Sequence, residues 1–384
     1  MEAADNSVKV APPRLISKVE GATPGPTVVF IGGIHGNEPA GVLALEEIMP
    51  FIQKNKAILK GNVLAIKGNL QALALKTRFI AQDLNRIWTK PLLSRIKEKS
   101  ILDTEEAEAK AILELIEDLL QNPEDKVCFI DLHTTSSPSV PFITINDMLI
   151  NREFASAFPV PKILGLEEFL KGPLLSFINE MGHVAVGFEA GQHQDPMAVS
   201  NCVSFIRLCL IQSGSLPATA FDKRNELERL AEAAEGEKGF FEVVYRHELR
   251  PLEQFGMLQG FTNFMPIKAH QKLAMHEGQP VYAAYEGRIF MPLYQAKGTD
   301  GFFIIQDIPR LALYLSIWLR RIDFIRLITL FPGVKWENKA RGTLVVNQAI
   351  ARFFTRSFFH LLGFTIVGQS ARKLFLKQRD KIEV

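Results

Sequence analysis

TVVFIGGIHGNEPAGVLALEEIMPFIQ, Thr27 to Gln53, decides how the chain is read. Its opening residues are apolar and mostly β-branched, the pattern of a buried strand. From Val42 onward, apolar residues recur at helical spacing. Pro39 stands where such a helix would begin, a position that tolerates a missing N–H. His35 and Glu38 therefore fall on a short glycine-rich loop between a strand end and a helix start. Open α/β sheets bind ligands at such points.

The same alternation continues outward. GNVLAIKGNL (61–70) holds a strand, and DTEEAEAKAILELIEDLLQ (103–121) is an amphipathic helix with Asp103 and Glu106 spaced for a capping box. VCFIDLH (127–133) is a strand that ends at a second histidine, and VAVGFEAG (184–191) is one that carries a glutamate near its end. The fold class that follows is α/β, a sheet domain with helices on both faces, spanning 27–215. Residues 1–26 read as an N-terminal extension and 216–237 as a helical connector. From 238 to 307 the texture changes: GFFEVVYRHEL, GQPVYAAYEGRIFMPLY and GFFIIQDI are short alternating runs between glycine turns, a small β domain. Residues 308–384 read as a basic, hydrophobic and mostly helical tail.

The chain has 384 residues, 47% hydrophobic and 22% charged, as in a globular protein with a sizeable core. The net charge of +2 hides a split. From Ile308 to Val384 there are 14 Lys/Arg against 4 Asp/Glu, a charge of +10; the remainder carries −8. Cys128, Cys202 and Cys209 make no paired framework and read as reduced core residues, consistent with a cytoplasmic protein. MEAADNSVKVAPPR has neither a basic n-region nor an apolar run, so no signal peptide is expected.

His35 and Glu38, with His133 from FIDLHTT, place two imidazoles and a carboxylate at strand ends. That donor set suits catalytic zinc with one position left open, whereas a closed structural site would want four ligands, usually with cysteine. Asp131 reads equally as a partner of His133 or as an ordinary strand-end acid.

The four segments GGIHGNEPAG, TRFIAQDLNRIW, FIDLHTT and VGFEAG, in that order, resemble the succinylglutamate desuccinylase/aspartoacylase family, relatives of the zinc carboxypeptidases. The 94 residues between Glu38 and His133 also resemble that family, and the likeness extends over about 25–307. The resemblance implies a zinc-carboxypeptidase-like mixed-sheet domain and one Zn²⁺ per chain on His35, Glu38 and His133, with Glu189 as general base. It implies Arg78 as the residue that helps stabilise the oxyanion, and Asn85 and Arg86 as holders of a substrate carboxylate. The activity implied is removal of the acyl group from a small-molecule N-acyl amino acid. In aspartoacylase proper, an arginine ten positions before the general base grips the aspartate side chain. Asn179 stands there instead, so an uncharged or differently held side chain is expected. His193 reads as a residue that lines the pocket, assists proton transfer or serves structure. Tyr294 has only a loose claim to match the family's C-terminal tyrosine.

Two other functions fit parts of the pattern: a carboxypeptidase acting on a small peptide, and a non-catalytic, metal-stabilised scaffold that binds through its tail. A scaffold would not need an acid at Glu189. In the tail, RRIDFIRLITLF and ARFFTRSFFHLLGF interleave basic and apolar residues. That suits a homo-oligomer contact or a peripheral membrane surface. No apolar run reaches the length of about twenty residues that a membrane span needs. No base-reading motif is present, so nucleic acid is not an expected partner.

Overall fold

In the computed structural model of the protein, residues 13–121, 126–250, 252–295, 298–321, 328–339, 342–347, 356–370 and 372–381 are described. The organising element is an eleven-stranded mixed sheet. Its first eight strands in chain order are β1 (Leu15–Glu20), β2 (Thr23–Gly32), β3 (Lys60–Lys67), β4 (Val127–Thr135), β5 (Phe142–Thr144), β6 (Pro161–Leu164), β7 (Val184–Gln192) and β8 (Gly239–Glu248). They lie in the order β1-β3-β2-β4-β7-β5-β6-β8, followed by strands 300–307, 287–290 and 266–267. β3, β2, β4 and β7 run parallel; β1 and β5 pair antiparallel with their neighbours β3 and β7.

The expected helices on both faces are present, and β2 shows why its sequence is unbroken apolar. Val28 and Phe30 enter one core with the helices Ala40–Lys54 and Ala198–Gln212, while Val29 and Ile31 enter a second with the helices Lys90–Glu98 and Thr104–Leu119. A parallel strand buried on both faces has no polar side to alternate with. The capping box forms: Asp103 Oδ1 accepts from Glu106 N at 2.9 Å, and Glu106 Oε2 from Asp103 N at 3.0 Å. All three cysteines are free and buried.

Three boundaries differ from those the sequence suggests. Residues 15–20 are not an extension: they form the edge strand, antiparallel to β3. Val19 is buried between exposed Lys18 and Glu20, as in a strand covered on one side only. The segment 238–307 does not have a sheet wholly its own. Four of its strands continue the central sheet, and 255–257, 272–276 and 279–282 form a separate three-stranded one. The acidic helix Lys223–Ala233 is less a connector than a cover, because Leu230 and the following Ala234 join the first core.

The largest difference lies after 308. The tail is not mostly helical. It contains a four-stranded antiparallel sheet of 334–338, 343–347, 373–378 and 364–370, with helices Arg310–Arg321 and Arg356–Leu361. The physical reason is period two. In TLVVN, Leu344 and Val346 are buried, and in KLFLKQ, Leu374 and Leu376 are, all four in one small core with Val334, Phe359 and Phe364. Gly333 and Gly342 take positive φ (84° and 65°) at the turns, conformations that a helix reading cannot accommodate. The middle of RRIDFIRLITLF (322–327) and the start of ARFFTRSFFHLLGF (351–355) lie outside the described residues. On the helix Arg310–Arg321, Leu311, Tyr314 and Trp318 are exposed. Among the described residues, no helix is long and apolar enough to cross a membrane.

Candidate active site

The loop after β2 is shaped by glycine. Gly33 has φ of 74°, and a Cβ on Gly36 would lie 2.0 Å from the carbonyl carbon of Ala72. Only backbone fits there, so the loop turns tightly enough to aim His35 and Glu38 at the sheet edge. The helix that follows starts at Ala40, with Pro39 as its capping residue. β4 delivers His133 from the neighbouring strand end. β7 pairs with β4 so that Glu189 stands directly opposite His133 in the register.

The third segment, 78–86, has little regular structure and needs an external clamp. Buried Glu105 supplies it: its carboxylate accepts from the amides of Ile80 (2.7 Å), Ala81 (2.9 Å) and Gln82 (3.2 Å) and from Asn69 Nδ2 (3.0 Å). Burial alone would raise this carboxyl, but these donors hold it below its ordinary value. Arg78, Asp83, Asn85 and Arg86 are thereby presented to the same cavity as the histidines.

Ligand atoms of His35, Glu38 and His133 lie within 4.8 Å of one another, and all three residues are buried. Glu38 is the hub. Its Oε1 lies 2.9 Å from His35 Nδ1 and its Oε2 2.9 Å from His133 Nδ1, with Thr134 N donating to Oε2 at 3.1 Å. Each imidazole is anchored from behind by an aspartate: His35 Nε2 at 3.1 Å from Asp83 Oδ1, and His133 Nε2 at 2.6 Å from Asp131 Oδ2. Both Nδ1 atoms thus face the hub, the outer-partner arrangement that fixes a metal-ligating imidazole. Asp131 is the anchor of His133 rather than a solvent-facing acid.

Burial would raise Glu38, yet the two imidazoles hold its carboxyl well below the usual range. Burial would lower His133, but Asp131 and Glu38 hold it well above its ordinary value. Glu189 goes the other way: burial first, aided by the nearby negative charge of Glu38 and Asp131, pushes its carboxyl up to about 8. Two carboxyl groups separated in this way are suited to different tasks, one as a fixed anion and one as a proton carrier. Among the described residues, Glu189 Oε2, Asn37 Oδ1 and Arg78 Nε are buried without a hydrogen-bond partner. Buried polar atoms left unpaired beside a two-imidazole, one-carboxylate set fit a cation and a bound ligand.

Arg78 donates to Asp83 Oδ2 at 3.2 Å and Glu38 Oε1 at 3.4 Å. Arg86 donates to Asp300 Oδ2 at 3.1 Å, and Arg246 Nε donates to the other oxygen of that aspartate at 2.6 Å. Asn85 Oδ1 accepts from Leu174 N at 2.9 Å. His193 lines the cavity with Nδ1 2.8 Å from Thr134 Oγ1. Asp83 carries no role in the sequence reading, though it lies inside TRFIAQDLNRIW; Arg246 and Asp300 lie in the β segment with no motif to mark them. Asn179 stays out of the cavity, buried against Asn151 and the carbonyl of His183. Tyr294 also stays out, its hydroxyl donating to Leu258 O at 2.8 Å. The cavity holds about 150 Å³ and is lined on one side by Met291, Leu293 and Phe303.

Fold and donor set together define a class: an α/β protein with a buried candidate metal centre at its strand ends. Residues 24–204 match the family model of the succinylglutamate desuccinylase/aspartoacylase catalytic domain, and over this region the chain is similar to that family. Among curated relatives, succinylglutamate desuccinylase of Photorhabdus laumondii is 39% identical over 62 residues, which is 16% of this chain and 19% of the relative. That of Pseudoalteromonas atlantica is 30% identical over 134 residues, 34% of this chain and 38% of the relative. The chain therefore spans well under half the length of these relatives. Solved structures agree in fold. A succinylglutamate desuccinylase/aspartoacylase from Rhodobacter sphaeroides superposes with a TM-score of 0.56 at 16% identity, covering 76% of this chain and 88% of that one. The ectoine utilization protein EutE (DoeB) from Ruegeria pomeroyi, in a product-bound structure, gives 0.55 at 18% identity, covering 76% and 87%.

Proposed function

We propose that the protein is a zinc-dependent amidohydrolase that removes the acyl group from an N-acyl amino acid. The observation that carries this reading is the buried His35–Glu38–His133 donor set with Glu189 opposite His133 in the strand register. These residues would hold one Zn²⁺, which when bound supplies a Lewis acid for the carbonyl and lowers the pKa of water.

The chain's own side chains do the rest. Glu189 takes a proton from the attacking water and later gives it to the leaving amine; a buried carboxyl with a raised affinity for protons is suited to both transfers. Arg78, next to Glu38, donates to the carbonyl oxygen as negative charge develops there. Arg86 and Asn85 receive the substrate carboxylate. Asp300 and Arg246 hold the Arg86 guanidinium in place, so little rotamer freedom is lost when the carboxylate arrives. Ile145, Leu170, Leu175 and Phe303 give another part of the cavity an apolar lining, which favours a substrate side chain without charge. A cavity of about 150 Å³, lined on one side by Met291, Leu293 and Phe303, suits a single amino acid better than a peptide. A cytoplasmic setting suits three free, buried cysteines.

The test is a panel of N-acyl amino acids, differing in acyl group and side chain, offered to protein of known metal content with released amine as the readout. Turnover of at least one member is expected. Protein holding a full complement of metal that releases amine from none of them would overturn the reading.

A further inference from the structure

Buried charge joins the C-terminal sheet to the body. The side chain of Arg379, just past strand 373–378, is almost fully buried. Its Nη1 donates to Asp147, its Nη2 to Glu168, and its Nε lies 3.4 Å from Glu167 Oε1. From the helix Arg310–Arg321, Arg320 adds a second contact to Asp147 Oδ2, at 2.9 Å. Asp380 Oδ1 accepts from Leu149 N at 2.8 Å. The loops gripped in this way are 146–149 and 165–170. They are also a wall of the catalytic cavity: Asn146, Leu166, Glu167 and Leu170 line it.

We propose that Arg379 is a positioning residue for the active site: from the C-terminal sheet it gathers Asp147, Glu167 and Glu168, and so fixes the two loops that form one wall of the substrate cavity. One planar guanidinium with a forked donor set can satisfy three carboxylates from two loops at once; a lysine, a point charge on a flexible stem, cannot hold the same geometry. Without Arg379, Glu168 keeps His360 Nε2 at 2.8 Å, but Glu167 loses its guanidinium and is left beside a second buried acid, so the wall they belong to opens toward water. The C-terminal sheet, which lies outside the matched catalytic domain, is then part of the machinery that decides what fits. The inference rests on the deacylase reading for its kinetic readout alone.

The test uses the full chain with Arg379→Met, Arg379→Lys and the triple variant Arg379→Met/Glu167→Gln/Glu168→Gln, which removes the stranded charges. Amide hydrogen exchange is read at 144–149 and 165–170 and, as an internal reference, at 131–135 and 184–190. In both single variants the two loops should exchange faster while the reference strands stay unchanged. The triple variant should recover thermal stability but not loop protection. On the best substrate, KM should rise by roughly 5- to 30-fold with kcat held within about twofold, since the chemical groups are untouched. If Arg379→Met does not fold, Arg379→Lys and the triple variant carry the test. Unchanged loop exchange, or a rise shared equally by the reference strands and tracking the melting temperature, would overturn the proposal. If the wild type hydrolyses no substrate, the deacylase reading fails, and the exchange measurement still decides the role of Arg379.

Discussion

Two buried networks of charge organise this molecule, and they are built from the same chemistry. At the strand ends, Glu38, Asp83 and Asp131 meet His35, His133 and Arg78. Behind one wall of the cavity, Asp147, Glu167 and Glu168 meet Arg152, Arg320 and Arg379. The first network leaves both imidazole Nδ1 atoms turned toward a single carboxylate, beside a cavity. The second wraps guanidinium groups around its acids and joins segments 232 residues apart in the chain. Imidazoles can release a proton to solvent near neutral pH and offer the freed lone pair to a metal; guanidinium groups cannot. The second network has an imidazole too, with His360 Nε2 at 2.8 Å from Glu168 Oε1, so what sets the site apart from the joint is a pair of imidazoles turned to one carboxylate beside a cavity.

The sharpest test of the first network is Glu189→Gln. It should keep its metal and lose turnover by about 10²–10⁴-fold, because an amide cannot carry the proton. The same variant carries a pH signature in metal-free protein. Glu189 is raised from 4.5 to about 8, so folding is favoured by its bound proton below 4.5 and loses that contribution as pH climbs toward and through 8. Metal-free wild type should therefore lose stability between pH 5 and pH 9 relative to Glu189→Gln, as thermal melts would record. Parallel melting curves across that range would mean that Glu189 is not held protonated by burial.

The second network is tested by Asp147→Ala. Three arginines face that carboxylate, and burial opposes a charge that Arg320, Arg152 and Arg379 nevertheless hold well below the ordinary range. Removing one partner of a buried pair costs about 3–5 kcal/mol, because the other charges stay behind unpaired. Chemical denaturation should show that loss with metal content unchanged. A loss nearer the 0.2–1 kcal/mol or so typical of exposed pairs would make the C-terminal sheet a loosely held appendage.

The two networks also differ in how far they can be read from sequence. His35, Glu38, His133 and Glu189 sit at the ends of runs whose period is plain, and the loop glycines mark where backbone must come close. Local pattern and chemistry agree there. Arg379 and Arg320 carry no such mark. In a sequence they are basic residues in a basic tail, and their partners lie in loops without regular period. The helical reading of 308–384 failed for a related reason. Its phenylalanines and leucines suggest one long amphipathic surface, whereas the period of two in TLVVN and KLFLKQ spans only five or six residues at a time. Asp300 and Arg246, which hold Arg86, are equally silent, since the contact exists only because 300–307 pairs with β8.

The smallest predicted effect compares the networks directly. Asp131→Asn changes one atom in the partner of His133, at a position with no solvent exposure. An asparagine oxygen can still accept from His133 Nε2, so the ring keeps its orientation. What it loses is the charge that makes the imidazole a better donor toward a cation, and it leaves an amide N–H₂ buried where Asp131 Oδ1 already lacks a partner. Metal affinity should therefore fall by about 10–100-fold, as is usual for such outer partners, while bound metal still supports turnover once metal is in excess. Chelator competition measures the first and activity at saturating metal the second. Asp147→Ala should show the reverse, a large loss of stability with the metal dissociation constant unmoved. If Asp131→Asn leaves metal affinity at the wild-type value, then His133 does not depend on Asp131 to bind, and the strand-end network is no more specialised for a cation than the joint behind the wall.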